Sequence, residues 1–351
     1  MAATLSASDR AQYLLVRGLT GLPDRALRLP AGRPVIVDGQ ELDVELQLIL
    51  RLMKLAGDPE LDELTVQGAR ERITQNAAAF AGPTIEVARA TDVTVGGADG
   101  QLRARLYVPF GAPAAGPLLV YFHGGGFVVG DLDTHDNVCR FLTRQASVGV
   151  LSVDYRLAPE HQFPASFDDA VAAFRFVVEH AVDFGADPAR IAVAGDSAGG
   201  NLAAGVARSA AADGGPAPAF QLLFYPWVDL ATEHRSMELF AEGFYLTRRD
   251  LHWYRNHYLA DPAQATDPRC SPLVAAEPGS VAPAYITTAG FDPLRDEGED
   301  YASRLREAGA TVAVRRHPGL IHGFANLGAV NHPSRDALFE ATGALRMGLA
   351  G

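Results

Sequence analysis

The chain has 351 residues, of which 48% are hydrophobic and 21% are charged, and its formal net charge at pH 7 is −12. This size and composition predict one large globular core, and the acidic excess argues against nucleic acid and anionic membranes as partners. Lys54 is the only lysine, which excludes a Ser-x-x-Lys site and a phosphate-binding Gly-Lys motif.

The N-terminus lacks the basic start and apolar core of a signal peptide. No apolar run approaches the length that spans a membrane, so we expect a cytoplasmic protein without a membrane partner. Cys139 and Cys270 have neither a metal-ligand spacing nor a disulfide framework. We therefore expect no metal and no cofactor.

The first part of the chain, residues 1–82, shows no clear strand pattern. Apolar residues recur at a helical spacing between Leu42 and Leu55, and a second helical stretch runs from Leu61 to Phe80. Residues 84–109 instead alternate in hydropathy around a turn at 96–100, which predicts a hairpin. After residue 118, strands and helices alternate, and this indicates a mostly parallel sheet flanked by helices.

A glycine-rich loop follows the apolar strand that begins at residue 118. Three glycines after His123 let backbone amides turn toward one point. We expect the amides of Gly124 and Gly125, with that of Ala198 further along the chain, to form an oxyanion hole. His123 lies on this loop and is expected to fix it by hydrogen bonding rather than to act as a base.

A Gly-x-Ser-x-Gly sequence at 195–199 lies between a short apolar strand and an Ala-rich helix. In this setting it predicts a nucleophile elbow, a tight turn whose strained backbone exposes the hydroxyl of Ser197. The N-terminus of the following helix favours a developing negative charge. Ser197 is therefore the candidate nucleophile, and it requires a base, an acid that orients the base, and oxyanion donors.

Residues 229–261 form a polar and aromatic stretch that predicts a helical insertion. Phe244, Trp253 and Tyr254 are our candidates for lining an apolar acyl pocket beneath it. The alternative for each of these aromatic residues is that it only packs the insertion onto the body of the protein.

The acid and the base are expected after the nucleophile in the chain. A buried strand at 283–290 leads to Asp292, which Pro293 keeps in the turn before the next helix. Asp296 is the alternative acid, although the helix dipole explains an acidic residue in a first helical turn.

For the base we choose His322, in the loop after a strand at 311–316. His317, which precedes a Pro-Gly pair, is its competitor.

Five segments of this chain, in order, resemble the hormone-sensitive lipase family of α/β-hydrolases. They are HGGGFVVG at 123–130, VDYRLAPEH at 153–161, GDSAGG at 195–200, DPLRD at 292–296 and HGF at 322–324. Gln162 stands where the family usually has proline. The resemblance implies an α/β-hydrolase fold with a helical cap, and carboxylesterase activity on short or medium acyl chains.

The domain boundaries follow from this resemblance and from the pattern of elements. Residues 1–82 would be the N-terminal part of the cap and residues 229–261 the cap insertion. Residues 83–228 and 262–351 would be the first and second parts of the hydrolase core. The sequence leaves both a monomer and a homodimer open.

The sequence as a whole predicts a serine carboxylesterase that acts on small-molecule esters through an acyl-enzyme intermediate. An amidase or deacetylase with the same triad is the main alternative, because one base can protonate either leaving group. A non-catalytic ligand-binding protein of this fold is disfavoured because such receptors lack the triad histidine, whereas His322 is present. The physiological substrate cannot be read from the sequence.

Overall fold

The computed structural model describes residues 17–18, 22–57, 59–275 and 281–350, so parts of the predicted N-terminal cap lie outside the described residues. The strands are β1 Ile36–Val37, β2 Gln40–Glu41, β3 Arg89–Gly97, β4 Gly100–Val108, β5 Gly116–Phe122, β6 Gly149–Val153, β7 Ala186–Asp196, β8 Gln221–Phe224, β9 Ala284–Phe291 and β10 Val312–Ile321. The α-helices are α1 Asp24–Ala31, α2 Val44–Ala56, α3 Val66–Ala81, α4 Asp136–Ala146, α5 Ala165–Glu179, α6 Ala198–Asp213, α7 Arg235–Leu239, α8 Arg248–Tyr258, α9 Arg295–Glu307 and α10 His332–Gly348.

Eight of the strands form one sheet, in the order β10-β9-β8-β7-β5-β6-β4-β3. Strands β5 to β10 pair in parallel, for example with Val193 of β7 beside Gln221 of β8. Strand β4 pairs antiparallel with β6, and β3 closes this end of the sheet as the predicted hairpin with β4. The fold class predicted from the alternation of strands and helices is thus confirmed.

Both faces of the sheet are covered, and strand β5 shows how. Leu118, Val120 and Phe122 belong to one buried cluster, whereas Leu119 and Tyr121 belong to another. Successive side chains of a strand point to opposite faces, so the two clusters lie on the two sides of the sheet. Helices α5 and α6 contribute to the first cluster, and α4 and α10 to the second.

Two local features differ from the sequence-based expectations. The short antiparallel pair β1 and β2 lies in a region where we expected no strand. Asp38 and Gly39, with φ of 55° and 75°, form its tight turn, a sequence that favours such ribbons. Strand β10 also continues past its predicted end, because pairing with β9 includes His317 beside Ala289 and resumes at Ile321 after a register shift. An edge strand tolerates such an irregularity near a proline.

The 229–261 insertion contacts the N-terminal part of the chain at the short turn Leu61–Glu63. Helix α8 begins with a capping box in which the side chains and amides of Thr247 and Asp250 bond reciprocally. On this helix, Arg249 forms an ion pair with Asp62, at 2.6 Å. Arg70 of α3 joins the N-terminal part to the body, since its guanidinium donates to the carbonyl of Val128 at 2.9 Å.

Candidate active site

A sharp turn connects β7 to α6, and Ser197 is the residue at its tip, with φ 54° and ψ −119°. Such a conformation is strained for a residue with a side chain. A Cβ at Gly195 would lie 2.2 Å from the carbonyl oxygen of Gly199, and a Cβ at Gly199 would lie 2.0 Å from that of Phe122. Only glycine fits at these two positions. The backbone amide of Ser197 donates to Phe224 of β8 at 2.9 Å, which holds the turn against the sheet.

The side chains of Ser197, His322 and Asp292 form a continuous hydrogen-bonded row. His322 Nε2 lies 3.0 Å from Ser197 Oγ, and His322 Nδ1 lies 2.8 Å from Asp292 Oδ2. Because an ionised carboxylate only accepts, Nδ1 carries a proton, and Nε2 of the neutral ring is then free to accept the serine proton. All three residues are buried, and they follow the carboxyl ends of β7, β9 and β10.

The alternative acid and base do not join this row. The carboxylate of Asp296, in the first turn of α9, accepts from the amide of Ser236 at 2.8 Å and from the side chain of Arg295 at 2.8 Å. His317 lies within β10, where burial lowers its pKa, and its ring packs on Phe324. The structure therefore brings Asp292 and His322, rather than Asp296 and His317, to Ser197.

One of the three expected oxyanion donors, the amide of Gly124, is wrong. The amide of Gly124 donates to Asp196 Oδ1 at 2.9 Å, so it is already engaged and cannot also point at a substrate. In the part of the chain that the structure describes, the amides of Gly125, Gly126 and Ala198 donate to no protein atom. Gly125 and Gly126 have φ of 121° and 58°. The candidate donors are therefore Gly125, Gly126 and Ala198, with Gly126 in place of Gly124.

His123, at the start of this loop, does not face Ser197. Its Nδ1 lies 2.8 Å from the carbonyl oxygen of Gly124, and its ring stacks on Tyr155 with centroids 4.4 Å apart. Burial, and then the neighbouring His135, lower the pKa of His123 to about 4. A neutral ring in these contacts holds the loop in place.

Asp196, immediately before the nucleophile, is the centre of a buried polar cluster that the sequence analysis missed. Its carboxylate accepts from the Tyr121 hydroxyl at 2.8 Å and from the Gly124 amide at 2.9 Å, and it lies 3.2 Å from His135 Nε2. Burial by itself raises the pKa of Asp196, but His135 and the two hydrogen bonds lower it overall. The only signal in the sequence was an acidic residue inside the elbow motif.

Glu297 is a second buried carboxyl near the site. Its Oε1 accepts from the amides of Val228 and Asp229 at 2.7 and 3.0 Å, where the chain leaves β8 and enters the insertion. Burial raises the pKa of Glu297 well above its ordinary value. Glu297 therefore fixes the base of the insertion, and its place in the first helical turn is explained by these contacts.

A cavity of about 870 Å³ opens above Ser197 and His322. The glycine loop and Trp227 form part of its base. Apolar residues of the N-terminal part and of the insertion supply much of its wall: Leu50, Met53, Leu61, Ile73, Ala77, Phe80, Tyr245, Leu246, Leu251 and Tyr254. Polar and charged side chains of the same two regions, such as Lys54 and Arg248, complete the lining. A concave site that combines apolar walls with polar groups suits a small organic ligand.

Only one of the three aromatic candidates for the acyl pocket lines this cavity. Tyr254 lies so close to the glycine loop that a Cβ at Gly126 would be 2.2 Å from its ring. The predictions for Phe244 and Trp253 are wrong. Phe244 packs on Phe291 and on a neighbouring phenylalanine, and Trp253 lies in the hydrophobic core beside Tyr254 and a histidine. Neighbouring residues of a helix face different directions, so Trp253 and Tyr254 do not share one surface.

The described ranges contain no group of three or more His, Cys, Asp or Glu side chains placed to hold a metal ion. Both cysteines are buried and carry free thiols. Across residues 17–18, 22–57, 59–275 and 281–350, the helices fall short of the length and hydropathy that crossing a bilayer requires.

The sheet order and the serine elbow at its carboxyl edge define the chain as an α/β-hydrolase. A family model described as "alpha/beta hydrolase fold" matches residues 119–326. Carboxylic ester hydrolase LipN of Mycobacterium tuberculosis is 47% identical over 346 residues, which covers 95% of this chain and 91% of LipN. Ethyl acetate hydrolase of Pseudomonas putida is 39% identical over 290 residues, covering 82% and 91% of the two chains.

Solved structures agree with these relatives. An ester hydrolase from the metagenome of Lake Arreo, in complex with a bipyridine phosphonate derivative, shares 42% of residues with a TM-score of 0.85, covering 87% of this chain and 98% of its own. An esterase of Pyrobaculum calidifontis shares 37% with a TM-score of 0.84, covering 88% and 99%. The chain belongs to the hormone-sensitive lipase family of α/β-hydrolases, as its motifs indicated, and it is a hydrolytic enzyme.

Proposed function

We propose that the protein is a serine carboxylesterase that hydrolyses short- to medium-chain acyl esters of small molecules through an acyl-enzyme on Ser197. The observation that carries this proposal is the row from Ser197 Oγ through His322 to Asp292, with contacts of 3.0 and 2.8 Å, at the base of the cavity. The names of the relatives support the reaction class, since both LipN and the Pseudomonas putida enzyme are ester hydrolases.

In the first half of the reaction, Ser197 Oγ attacks the carbonyl carbon of the ester. His322 Nε2 takes the serine proton, and the carbonyl oxygen becomes an oxyanion. When the tetrahedral intermediate collapses, the bond to the alcohol oxygen breaks and His322 donates its proton to the leaving alcohol. The acyl group remains on Ser197.

In the second half, a water molecule replaces the alcohol. His322 accepts a proton from this water as its oxygen attacks the acyl carbon, and a second oxyanion forms. Collapse breaks the bond to Ser197 Oγ, which regains the proton from His322, and the carboxylic acid leaves. Asp292 holds the imidazole in the required tautomer and stabilises the imidazolium that forms in each half.

The oxyanion is the charge that develops in both transition states. Three amides support this step: those of Gly125, Gly126 and Ala198 have no acceptor among the described residues. Gly125 and Gly126 line the same cavity as Ser197, and Ala198 begins helix α6 directly after it. Preorganised donors of this kind stabilise the transition state more than the ground state, because the charge is absent before attack. In a serine protease of another fold, removal of one such donor costs about 3 kcal/mol of transition-state stabilisation.

We propose that residues 1–82 and 229–261 act as the cap that bounds the acyl pocket. Their described residues supply most of the apolar wall of the cavity, including Phe80, Leu246 and Tyr254. A wall close to the nucleophile limits the length of the acyl chain. The family resemblance implies a short acyl pocket, so we expect a preference for roughly two to eight carbons. Soluble esters are then preferred over emulsified triglyceride.

The test compares p-nitrophenyl esters of increasing acyl length with the matching p-nitroanilides. We expect the highest kcat/KM for short and medium esters, far above the anilides, and no jump in rate when the substrate passes its solubility limit. Faster hydrolysis of the anilides would instead identify an amidase. Binding of the esters without turnover would support the ligand-binding alternative.

A further inference from the structure

A buried histidine beneath the glycine loop has no place in the mechanism above. His135 directly precedes helix α4 and lines the cavity beside Thr134 and Asp196, with 5% of its surface exposed. No hydrogen bond joins it to Ser197 or His322 within the part of the chain that the structure covers. It therefore does not transfer protons in the row formed by the triad.

The contacts of His135 are directional. Its Nε2 hydrogen-bonds Asp196 Oδ2 at 3.4 Å, with Oδ1 of the same carboxylate at 3.2 Å, and its Nδ1 lies 3.0 Å from the hydroxyl of Thr134. The side-chain amide of Asn326 also lies 3.4 Å from Nε2. Because the carboxylate of Asp196 can only accept, Nε2 must be the donor in this contact. Thr134 is itself fixed by the backbone of Asp131, with 2.9 Å contacts to its amide and its carbonyl. The imidazole is thus clamped from both sides.

Asp196 transmits this contact to the glycine loop. The same carboxylate that faces His135 accepts the Gly124 amide, and a Cβ at Gly124 would lie only 2.4 Å from Asp196 Oδ2. The loop therefore rests directly on the carboxylate. Without His135, the carboxylate of Asp196 would keep only two donors, the Tyr121 hydroxyl and the Gly124 amide. Only 3% of the surface of Asp196 is exposed. Loss of one donor destabilises a buried carboxylate, and Asp196 lines the cavity, so its side chain has space to shift away from the glycine loop.

We propose that His135 is a positioning residue for ester hydrolysis: through Asp196 it fixes the Gly124 amide, and thereby directs the Gly125 and Gly126 amides toward the oxyanion. The contribution is made in the transition state, because the loop does not bind the ester strongly before the oxyanion forms. This inference rests on the proposed esterase function.

The test replaces His135 by leucine, which keeps a similar volume and removes the donor. We expect His135→Leu to lower kcat for a p-nitrophenyl ester about 10- to 100-fold, since a hydrogen bond to a buried charge is lost, with KM nearly unchanged. His135→Gln retains an amide donor that can reach Asp196, so it should recover most of the activity. His161→Gln is the matched control, because His161 is exposed and lies outside the cavity.

A second measurement separates positioning from a general loss of structure. A trifluoromethyl ketone with the same acyl chain forms a tetrahedral oxyanion on Ser197. Its inhibition constant should rise in His135→Leu by the factor by which kcat/KM falls, while the fraction of enzyme that a phosphonate can label stays that of the wild type. If His135→Leu fails to fold, His135→Asn, whose amide is too short to reach Asp196, provides the same comparison with His135→Gln.

The outcomes are distinct. An unchanged kcat in His135→Leu, a raised KM at constant kcat, or equal losses in the glutamine and leucine variants would overturn the positioning role. A wild type that hydrolyses none of the esters would instead overturn the proposed function.

Discussion

The floor of the cavity, where the triad lies, and its cover, the described parts of residues 1–82 and 229–261, are held in place by different kinds of interaction. At the floor, Asp292 is fully buried and bonds His322 at 2.8 Å, and Asp196 is bonded by three neighbouring groups. The cover is joined partly by exposed ion pairs such as Arg249 with Asp62, whose side chains are 62% and 30% exposed. Exposed pairs contribute about 0–1 kcal/mol and are screened by salt.

This difference teaches which properties each region can change. A buried hydrogen bond fixes an atom to within a fraction of an ångström, because breaking it leaves an unpaired polar group. A screened ion pair allows the cover to shift at little cost. We therefore expect substitutions at the floor of the cavity to change the rate of reaction, and substitutions in the cover to change the choice of substrate.

The largest effect is expected at the floor of the cavity, for the variant Ser197→Ala. This variant should fold as the wild type does, with an unchanged Tm, and should lose about 10⁵-fold in kcat, because no acyl-enzyme can form. The measurement is the steady-state rate with a p-nitrophenyl ester. Retention of a tenth of the activity or more would show that another group is the nucleophile.

The general base of the reaction, His322, is tested next with a pair of histidine variants. His322→Asn should reduce kcat about 10⁴-fold, since nothing then takes the proton of Ser197. His317→Asn, in the same strand and loop region, should remain active because His317 does not contact the serine. The opposite pattern of rates would reverse the assignment.

A smaller loss is expected for the orienting acid. Asp292→Asn should cost about 10²- to 10⁴-fold in kcat, because an amide no longer selects the productive tautomer of His322 or stabilises its charged form. Asp296→Asn should cost far less, since Asp296 bonds Ser236 and Arg295 instead. Comparable losses in the two variants would mean that the acid role is shared.

The cover is tested by its effect on acyl length. Tyr254→Ala enlarges the cavity above the glycine loop, so the preferred acyl chain should lengthen and KM for short esters should rise about tenfold, with phosphonate reactivity of Ser197 retained. Phe244→Leu is the control, because Phe244 packs away from the cavity. A profile that changes in the control but not in Tyr254→Ala would contradict the separation of roles.

The smallest effect concerns the attachment of the insertion to the body. His234 Nε2 lies 3.0 Å from Asp229, with Asp300 at 3.6 Å from its other nitrogen and Asp296 also near. The hydrogen bond to Asp229 raises the pKa of His234 above its ordinary 6.5, although burial opposes this.

The unfolded chain then releases this proton at a lower pH than the folded chain. The stabilising contribution is complete below about pH 6.5 and is lost as pH rises through the raised value. Because such pairs are worth about 1 kcal/mol or less, His234→Gln should slightly lower Tm at pH 6 and leave it unchanged at alkaline pH. Thermal unfolding across this range checks the sign, and a difference that grows with pH would contradict it.

The sequence was informative where a constraint is local. The elbow around Ser197 could be recognised because its glycines are required by backbone contacts within a few residues of the turn. Likewise, Pro293 marked the turn that holds Asp292. The roles of Asp292 and His322 stay predictions, but the structure brings their side chains to Ser197 as the chain order suggested.

The sequence was uninformative where a contact depends on side-chain direction. Nothing in the glycine run shows that Asp196, 72 residues further on, engages the amide of Gly124. In the same way, helical periodicity could not tell which of Trp253 and Tyr254 faces the cavity, since both are aromatic and they are adjacent in one short helix.

The proposed mechanism requires Ser197 as the nucleophile, and a serine-directed phosphonate can establish which residue reacts. Intact mass and peptide mapping of the inhibited protein should show one adduct per chain, on Ser197, in step with the loss of ester hydrolysis. Ser197→Ala should take up none. An adduct on another serine, or full activity after Ser197 is labelled, would contradict the proposed mechanism.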